Sequence, residues 1–263
     1  MIKKKVAIIS YGNCPNLGDR IGQYIIFNML PYNCEVKFLY LPPFWKDNNK
    51  NDIYDLVIIG TGHSVFHKTL EDESFLQFLK NQKKIIGVFG LQYHNLLDIK
   101  KFHAFTNLFS HIFVRNKKDL EFFSQNDKIS HSGDILTSFF PLSQWTEEGK
   151  INIGPGVVHD NNDALSIIKK IQSYKTVESY RLHPLLAGLQ SCDEFIFYEQ
   201  KEMEKDQPSN KFNNMLYDIF ETDFEEGVLY KVNKNKVLDY RKLVFKNLEI
   251  IEEKIKKSCG IIN

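Results

Sequence analysis

Apolar residues in this chain gather into short runs, and between the runs they recur every three or four residues. The runs Lys5–Ser10 (KVAIIS), Val36–Leu41, Asp55–His63 (which runs straight into a glycine loop), Lys84–Phe89, His111–Val114 and Lys128–His131 have the length and content of buried strands. The intervening periodicity predicts helices through Ile21, Tyr24, Ile25 and Leu30, over Glu71–Asn81, over Asp98–Phe109 and over Lys118–Ser124. The pattern breaks at 141–150 (PLSQWTEEGK), which reads as a linker, and a second series follows. It comprises a strand over Ile151–Val158 ending at His159, and a helix capped by Asp160 or Asn161 with Leu165, Ile168 and Ile171 inward. After a strand over Lys175–Ser179, Leu182, Leu185, Leu186 and Leu189 mark a short buried helix beginning near Pro184. A strand over Glu194–Tyr198, a polar loop over 201–211, a helix over Phe212–Phe220 and a long helix over 235–257 complete the chain. Strands alternating with helices predict parallel, doubly wound sheets. The expected fold is therefore α/β, with two Rossmann-like domains: residues 1–143, and residues 150–263. A cleft is expected between them, with the final helix packing back across it.

Composition narrows the classes. A hydrophobic fraction of 43%, a charged fraction of 25% and a net charge of +1 describe an ordinary globular protein without the basic stripe of a nucleic-acid binder. Cys14, Cys34, Cys192 and Cys259 form no C-x-x-C pair and no ligand spacing, so reduced thiols and no metal site are expected. The apolar run Val6–Ile9 is too short for a signal peptide, and no stretch of about 20 apolar residues occurs. A cytoplasmic location is expected. Lysines outnumber arginines 30 to 4. Where arginine is so scarce, each is a candidate for planar, bidentate gripping of a carboxylate or phosphate. Arg20, Arg115 and Arg181 adjoin strand-to-helix junctions, whereas Arg241 lies in a lysine-rich helix and reads as surface.

Ligands on doubly wound sheets bind at the carboxyl ends of strands. Gly12–Asp19, Gly60–His63, Gly90–His94, Arg115 and Asp134 all fall at such ends. The sharpest stretch is Val177–Leu189, which places Arg181 and His183 beside a helix start, an end that favours anions rather than cations. An anionic ligand gripped by both side chains removes that conflict. The competing reading pairs Arg181 with Glu178 or another carboxylate and makes His183 a core histidine. Asp19 is either an N-cap or a ligand contact, and Arg115 either pairs with Asp119 or binds a ligand. Asp134 either contacts ligand or steadies its loop. His63 and His159 are further candidates.

Several of these segments, in this order, resemble the polysaccharide pyruvyl transferase family. They are Asn16-Leu-Gly-Asp19, Asp55-Leu-Val-Ile-Ile-Gly-Thr-Gly62, Ile86-Gly-Val-Phe-Gly90, Val114-Arg115, Gly133-Asp134 and Ser179-Tyr-Arg-Leu-His-Pro-Leu-Leu-Ala187. They span residues 6–190, and the chain departs from the family pattern at Thr61 and Pro184. The resemblance implies a GT-B-like architecture and transfer of pyruvate from phosphoenolpyruvate to a sugar diol of a bacterial exopolysaccharide or capsule. Phosphate leaves, a cyclic ketal forms and no cofactor is needed. It implies a donor side in the C-terminal half, with phosphoenolpyruvate bound by Arg181 and Arg115 and with His183 as acid and base. Asn16, Asp19 and His63 then orient the acceptor from the N-terminal half. A lipid-linked acceptor would bring the enzyme to the inner membrane face. Two other functions fit the same architecture: a nucleotide-sugar glycosyltransferase, and a non-catalytic carbohydrate-binding protein.

Overall fold

A computed structural model describes residues 3–12, 16–92, 97–123, 127–156, 164–200 and 209–260. The chain divides into two compact units. The first holds residues 1–14, 19–133 and 246–263, and the second holds 15–18 and 134–245.

In the first unit, β1 (Lys4–Ser10), β2 (Cys34–Tyr40), β3 (Leu56–Val65), β4 (Ile85–Leu91), β5 (His111–Val114) and β6 (Ile129–His131) form one sheet. Its order is β2-β1-β3-β4-β5-β6 and every pairing is parallel. The helices are α1 (Leu17–Asn28), α2 (His67–Glu71), α3 (Glu73–Lys80) and α4 (Ile99–Thr106). The chain changes direction across the sheet between β1 and β3, the switch point beside which such sheets hold ligands. Val6–Ile9 and the whole of β3 are buried, as central strands covered on both faces must be. Phe75, Phe78, Phe102, Phe105 and Phe109 fill the core against this sheet.

Several local expectations change. The stretch Asp55–His63, expected to run from strand straight into a glycine loop, stays strand: β3 continues through Gly60-Thr61-Gly62-His63 to Val65, keeping its pairing with β4 by register shifts around His63. Gly60 and Gly62, with φ of +151° and +85°, supply the backbone freedom that lets the strand bulge. The helix expected over about Glu71–Asn81 is α3, which starts later because the Asp72 side chain accepts from Phe75 N and caps it, and the short α2 precedes it. Tyr24 is exposed, and the buried apolar face of α1 is Leu17, Ile21 and Ile26. The segment expected to be a helix over Lys118–Ser124 is a 3-10 turn, Lys117–Phe122.

The second unit contains β7 (Glu147–Ile153), α5 (Ala164–Gln172), β8 (Tyr174–Ser179), α6 (Leu182–Gly188), β9 (Glu194–Phe197), α7 (Lys211–Phe220) and β10 (Tyr230–Lys231). Its sheet runs β10-β9-β8-β7, parallel except for the short β10. The final helix, α8 (Lys234–Ser258), contributes residues up to Phe245 to this unit and the remainder to the first.

The boundary falls after Gly133, ahead of the 141–150 stretch that reads as a linker. Hydrogen bonds explain why 134–141 belongs to the second unit. Arg241 Nη1 donates to Thr137 O (2.8 Å) and Phe140 O (2.5 Å), and Gln172 Nε2 donates to Pro141 O (2.8 Å). Arg241 is therefore not a surface cation; it ties a loop to α8. Leu165, expected inward, is 54% exposed, and Ile168 with Ile171 forms the buried face of α5. His159, the Asp160 or Asn161 cap, Cys14, His94 and residues 201–208 of the polar loop lie outside the described residues.

Candidate functional site

In the second unit the site grows from the end of β8. The Ser179 hydroxyl accepts from Arg181 N (3.0 Å) and donates to Arg181 O (2.8 Å), which fixes the turn out of the strand. Arg181 then sits at the N-cap of α6 with an extended backbone, φ −129° and ψ 128°. The helix begins at Leu182, ahead of Pro184. Proline falls in the first turn, where an N–H has no intrahelical acceptor to lose. Leu185, Leu186 and Leu189 are fully buried and anchor the helix. Arg181 Nη1 reaches Pro155 O at 3.4 Å.

His183, on the first turn of α6, has its Nε2 3.7 Å from Asp134 Oδ2. The carboxylate is held from several sides. Asp134 Oδ1 accepts from Leu136 N (3.1 Å), capping the 3-10 turn Ile135–Ser138, and its own N–H donates to the Tyr240 hydroxyl (2.7 Å). Of the two functions weighed for Asp134, the loop-steadying one is present in the cap, and the same carboxylate faces the imidazole. The other edge of the ring packs on Gly18, where a Cβ would lie 1.8 Å from His183 Nδ1. Gly18 N in turn donates to Asn16 Oδ1 (3.3 Å), so Asn16 caps the start of α1. Asp19, two residues into the helix, is not the N-cap.

Glu178 is engaged elsewhere than the sequence allowed for. Its carboxylate accepts from Asn152 Nδ2 (3.1 Å) and pairs with Lys150, both on the neighbouring β7, and that pairing holds the Lys150 ammonium above the usual lysine range.

The first unit gathers its own polar group at the carboxyl ends of β3, β4 and β5. Gly62 approaches Asp19 so closely that a Cβ there would stand 3.2 Å from Asp19 Oδ1. His63 lies opposite Gly90 in the sheet, and its Nε2 is 3.2 Å from Asn116 Nδ2. The same Asn116 amide donates to Asp119 Oδ2 (3.2 Å), which also accepts from Leu91 N (3.3 Å). Arg115 is buried beside this network, its N–H donating to Phe89 O (3.1 Å). Asn116 is the residue that pattern reading passed over. Its position directly after a buried strand and a scarce arginine was the available signal. Asp19, His63 and Arg115 thus belong to the first unit, and Asn16, Asp134, Arg181 and His183 to the second. Among the described residues, no group of three or more His, Cys, Asp or Glu side chains is arranged to hold a metal ion.

No family model and no curated protein matches the chain. Its fold is similar to the crystal structure of a functionally uncharacterized protein from Klebsiella pneumoniae subsp. pneumoniae NTUH-K2044. The TM-score is 0.53 at 17% identity, over 83% of this chain and 89% of that one. Such a likeness shows fold alone, a mixed α/β protein with a six-stranded parallel sheet and a second sheet. No helix among the described residues is long and apolar enough to cross a membrane.

Proposed function

We propose that the chain is a transferase of the pyruvyl type, moving pyruvate from phosphoenolpyruvate onto two hydroxyls of a sugar in a bacterial surface polysaccharide or its lipid-linked repeat unit. The reading treats the two α/β units as halves of a GT-B-type enzyme. The observation that carries it is the Asp134–His183 pair beside Arg181 at the carboxyl end of β8. Phosphoenolpyruvate bears two anionic groups close together, and a guanidinium grips such groups through paired hydrogen bonds. Arg181 takes that role, with Arg115 as the second guanidinium the reading assigns to the donor.

The chemistry then needs one group that gives and later takes a proton near neutral pH, which suits imidazole. His183 delivers its proton to the methylene carbon of the donor, leaving oxocarbenium character at C2. One sugar hydroxyl attacks C2 and loses its proton to the now neutral imidazole. The C2–O bond to phosphate breaks, and the neighbouring hydroxyl closes the ring at C2, giving up its proton to the departing phosphate. The balance is donor plus diol giving cyclic ketal plus phosphate. Asp134, fixed by Leu136 N and Tyr240, keeps the imidazole oriented and offsets the charge it carries before the first transfer. Asp19, Asn16 and His63 are assigned to acceptor hydroxyls.

The test is phosphate release from phosphoenolpyruvate with and without a repeat-unit glycolipid. Acceptor-dependent release that disappears in Arg181→Ala and His183→Ala supports the proposal. Stabilisation against heat by UDP or GDP, but not by phosphoenolpyruvate, would move the assignment to a nucleotide-sugar glycosyltransferase. Sugar binding unchanged in both variants, with no release, would leave a carbohydrate-binding protein.

A further inference from the structure

Two thiols of the first unit stand apart from the chemistry above. Cys34 opens β2, at the edge of the six-stranded sheet, and Cys259 directly follows the last turn of α8. They are 225 positions apart in sequence, yet their Sγ atoms are 3.9 Å apart. Cys259 is buried, held by its N–H to Ile255 O (3.0 Å), whereas Cys34 is only half-buried. An attacking reagent therefore meets Cys34 first, with Cys259 waiting behind it. A disulfide needs the sulfurs to close to about 2.05 Å, within the reach of side-chain rotation and a small backbone adjustment.

We propose that Cys34 and Cys259 form a reversible disulfide, clasping the end of the last helix to the edge strand when the chain meets a low-molecular-weight disulfide. The Cys34 thiolate attacks one sulfur of the reagent, forming a mixed disulfide and expelling one thiolate, which takes up the proton Cys34 released. Cys259, after giving its proton to solvent, attacks the Cys34 sulfur and expels the second thiol. Two protein thiols are oxidised and one reagent disulfide is reduced to two thiols. Burial pushes the Cys34 thiol up from its usual value and Cys259 to about 12. Of the charges facing the pair, Lys4 on β1 favours the thiolate and Asp55, just ahead of β3, opposes it. The reaction is consequently slow near neutral pH and quickens with pH, by about tenfold per unit while thiolate remains the minor form. In a reducing compartment the pair stays open.

The experiment treats the full chain with oxidised glutathione at mildly alkaline pH and maps peptides without reduction. The expected result is a cross-linked pair of peptides carrying Cys34 and Cys259, with a chain mass lower by two hydrogens. Closing so long a loop should raise the melting temperature by about 5–10 °C. Dithiothreitol should reverse both changes. A stable glutathione adduct on Cys34 with Cys259 still alkylatable overturns the proposal, as does a cross-link through Cys14 or Cys192. Because the map is read on the unmutated chain, the outcome does not depend on a cysteine variant folding.

Discussion

Asp134 divides its carboxylate between two tasks: Oδ1 caps a 3-10 turn through Leu136 N, and Oδ2 faces His183 Nε2 at 3.7 Å. The two tasks separate by substitution. Asp134→Asn keeps an oxygen for the cap but presents no negative charge to the imidazole. Its melting temperature should stay within about 3 °C of the wild type, while acceptor-dependent phosphate release falls by about 10- to 100-fold. Asp134→Ala removes the cap too, at about 1 kcal/mol, so its melting temperature should fall measurably as well. Equal activity in wild type and Asp134→Asn would mean that the carboxylate serves only the loop.

Gly18→Ala tests the other edge of the same imidazole. The new methyl would overlap His183 Nδ1 at 1.8 Å and Cγ at 2.8 Å, so the ring must turn away from its place. Overpacking of this kind costs about 1–3 kcal/mol, but replacing a helical glycine by alanine returns about 1 kcal/mol. The net stability change should be small. Activity should fall to the level of His183→Ala, and comparing urea unfolding with turnover in the two variants checks this.

How far these features can be read from sequence depends on how local their causes are. β1, β4, β5 and α7 lie within two residues of the apolar runs that predict them, because strands covered on both faces and amphipathic helices write their burial directly into residue order. The extension of β3 through Gly60–His63 is hidden because Gly-Thr-Gly reads as a loop, and only pairing with β4 makes it strand. Arg181 and His183 were legible as a pair at a helix start. Sequence proximity offers Glu178 as one carboxylate for Arg181, but the strand register gives that side chain to Asn152 and Lys150. Asp134 acquires its partner through packing over 49 residues of separation, a relationship that no spacing rule encodes.

Arg241 shows the same limit, and its role can be measured. Its Nη1 holds the carbonyls of Thr137 and Phe140 and reaches Gln190 Oε1 at 3.4 Å, and the burial that accompanies these contacts lowers its pKa from the usual arginine value. A charged donor to carbonyls contributes about 1.5–3 kcal/mol. Arg241→Ala should lower the melting temperature by about 4–8 °C, and Arg241→Lys should recover only part of that loss because an ammonium lacks the planar fork. Full recovery by lysine would show that charge, not geometry, secures the 134–141 segment.

Asp55, at the entrance to β3, offers a prediction with a defined pH dependence. Its Oδ1 pairs with Lys83 Nζ (2.7 Å) and, at 4.0 Å, with Lys4, while Oδ2 accepts from Lys5 N (3.0 Å). Lys83 first, and then the Lys5 N–H, holds this carboxyl below the usual carboxylate range. A carboxyl whose pKa is lower in the folded chain binds fewer protons there than when unfolded, so its stabilising effect is complete above about pH 5 and is lost as pH falls through the folded value. Because part of the group is solvated, the effect is modest, about 1 kcal/mol, and added salt should weaken its Lys83 share. Asp55→Asn should therefore unfold at lower urea than wild type at pH 7 in reducing buffer, and the gap should narrow as the pH is lowered to 3. A gap of the same size at both pH values would mean that the side chain acts by shape and neutral hydrogen bonding, not by its charge.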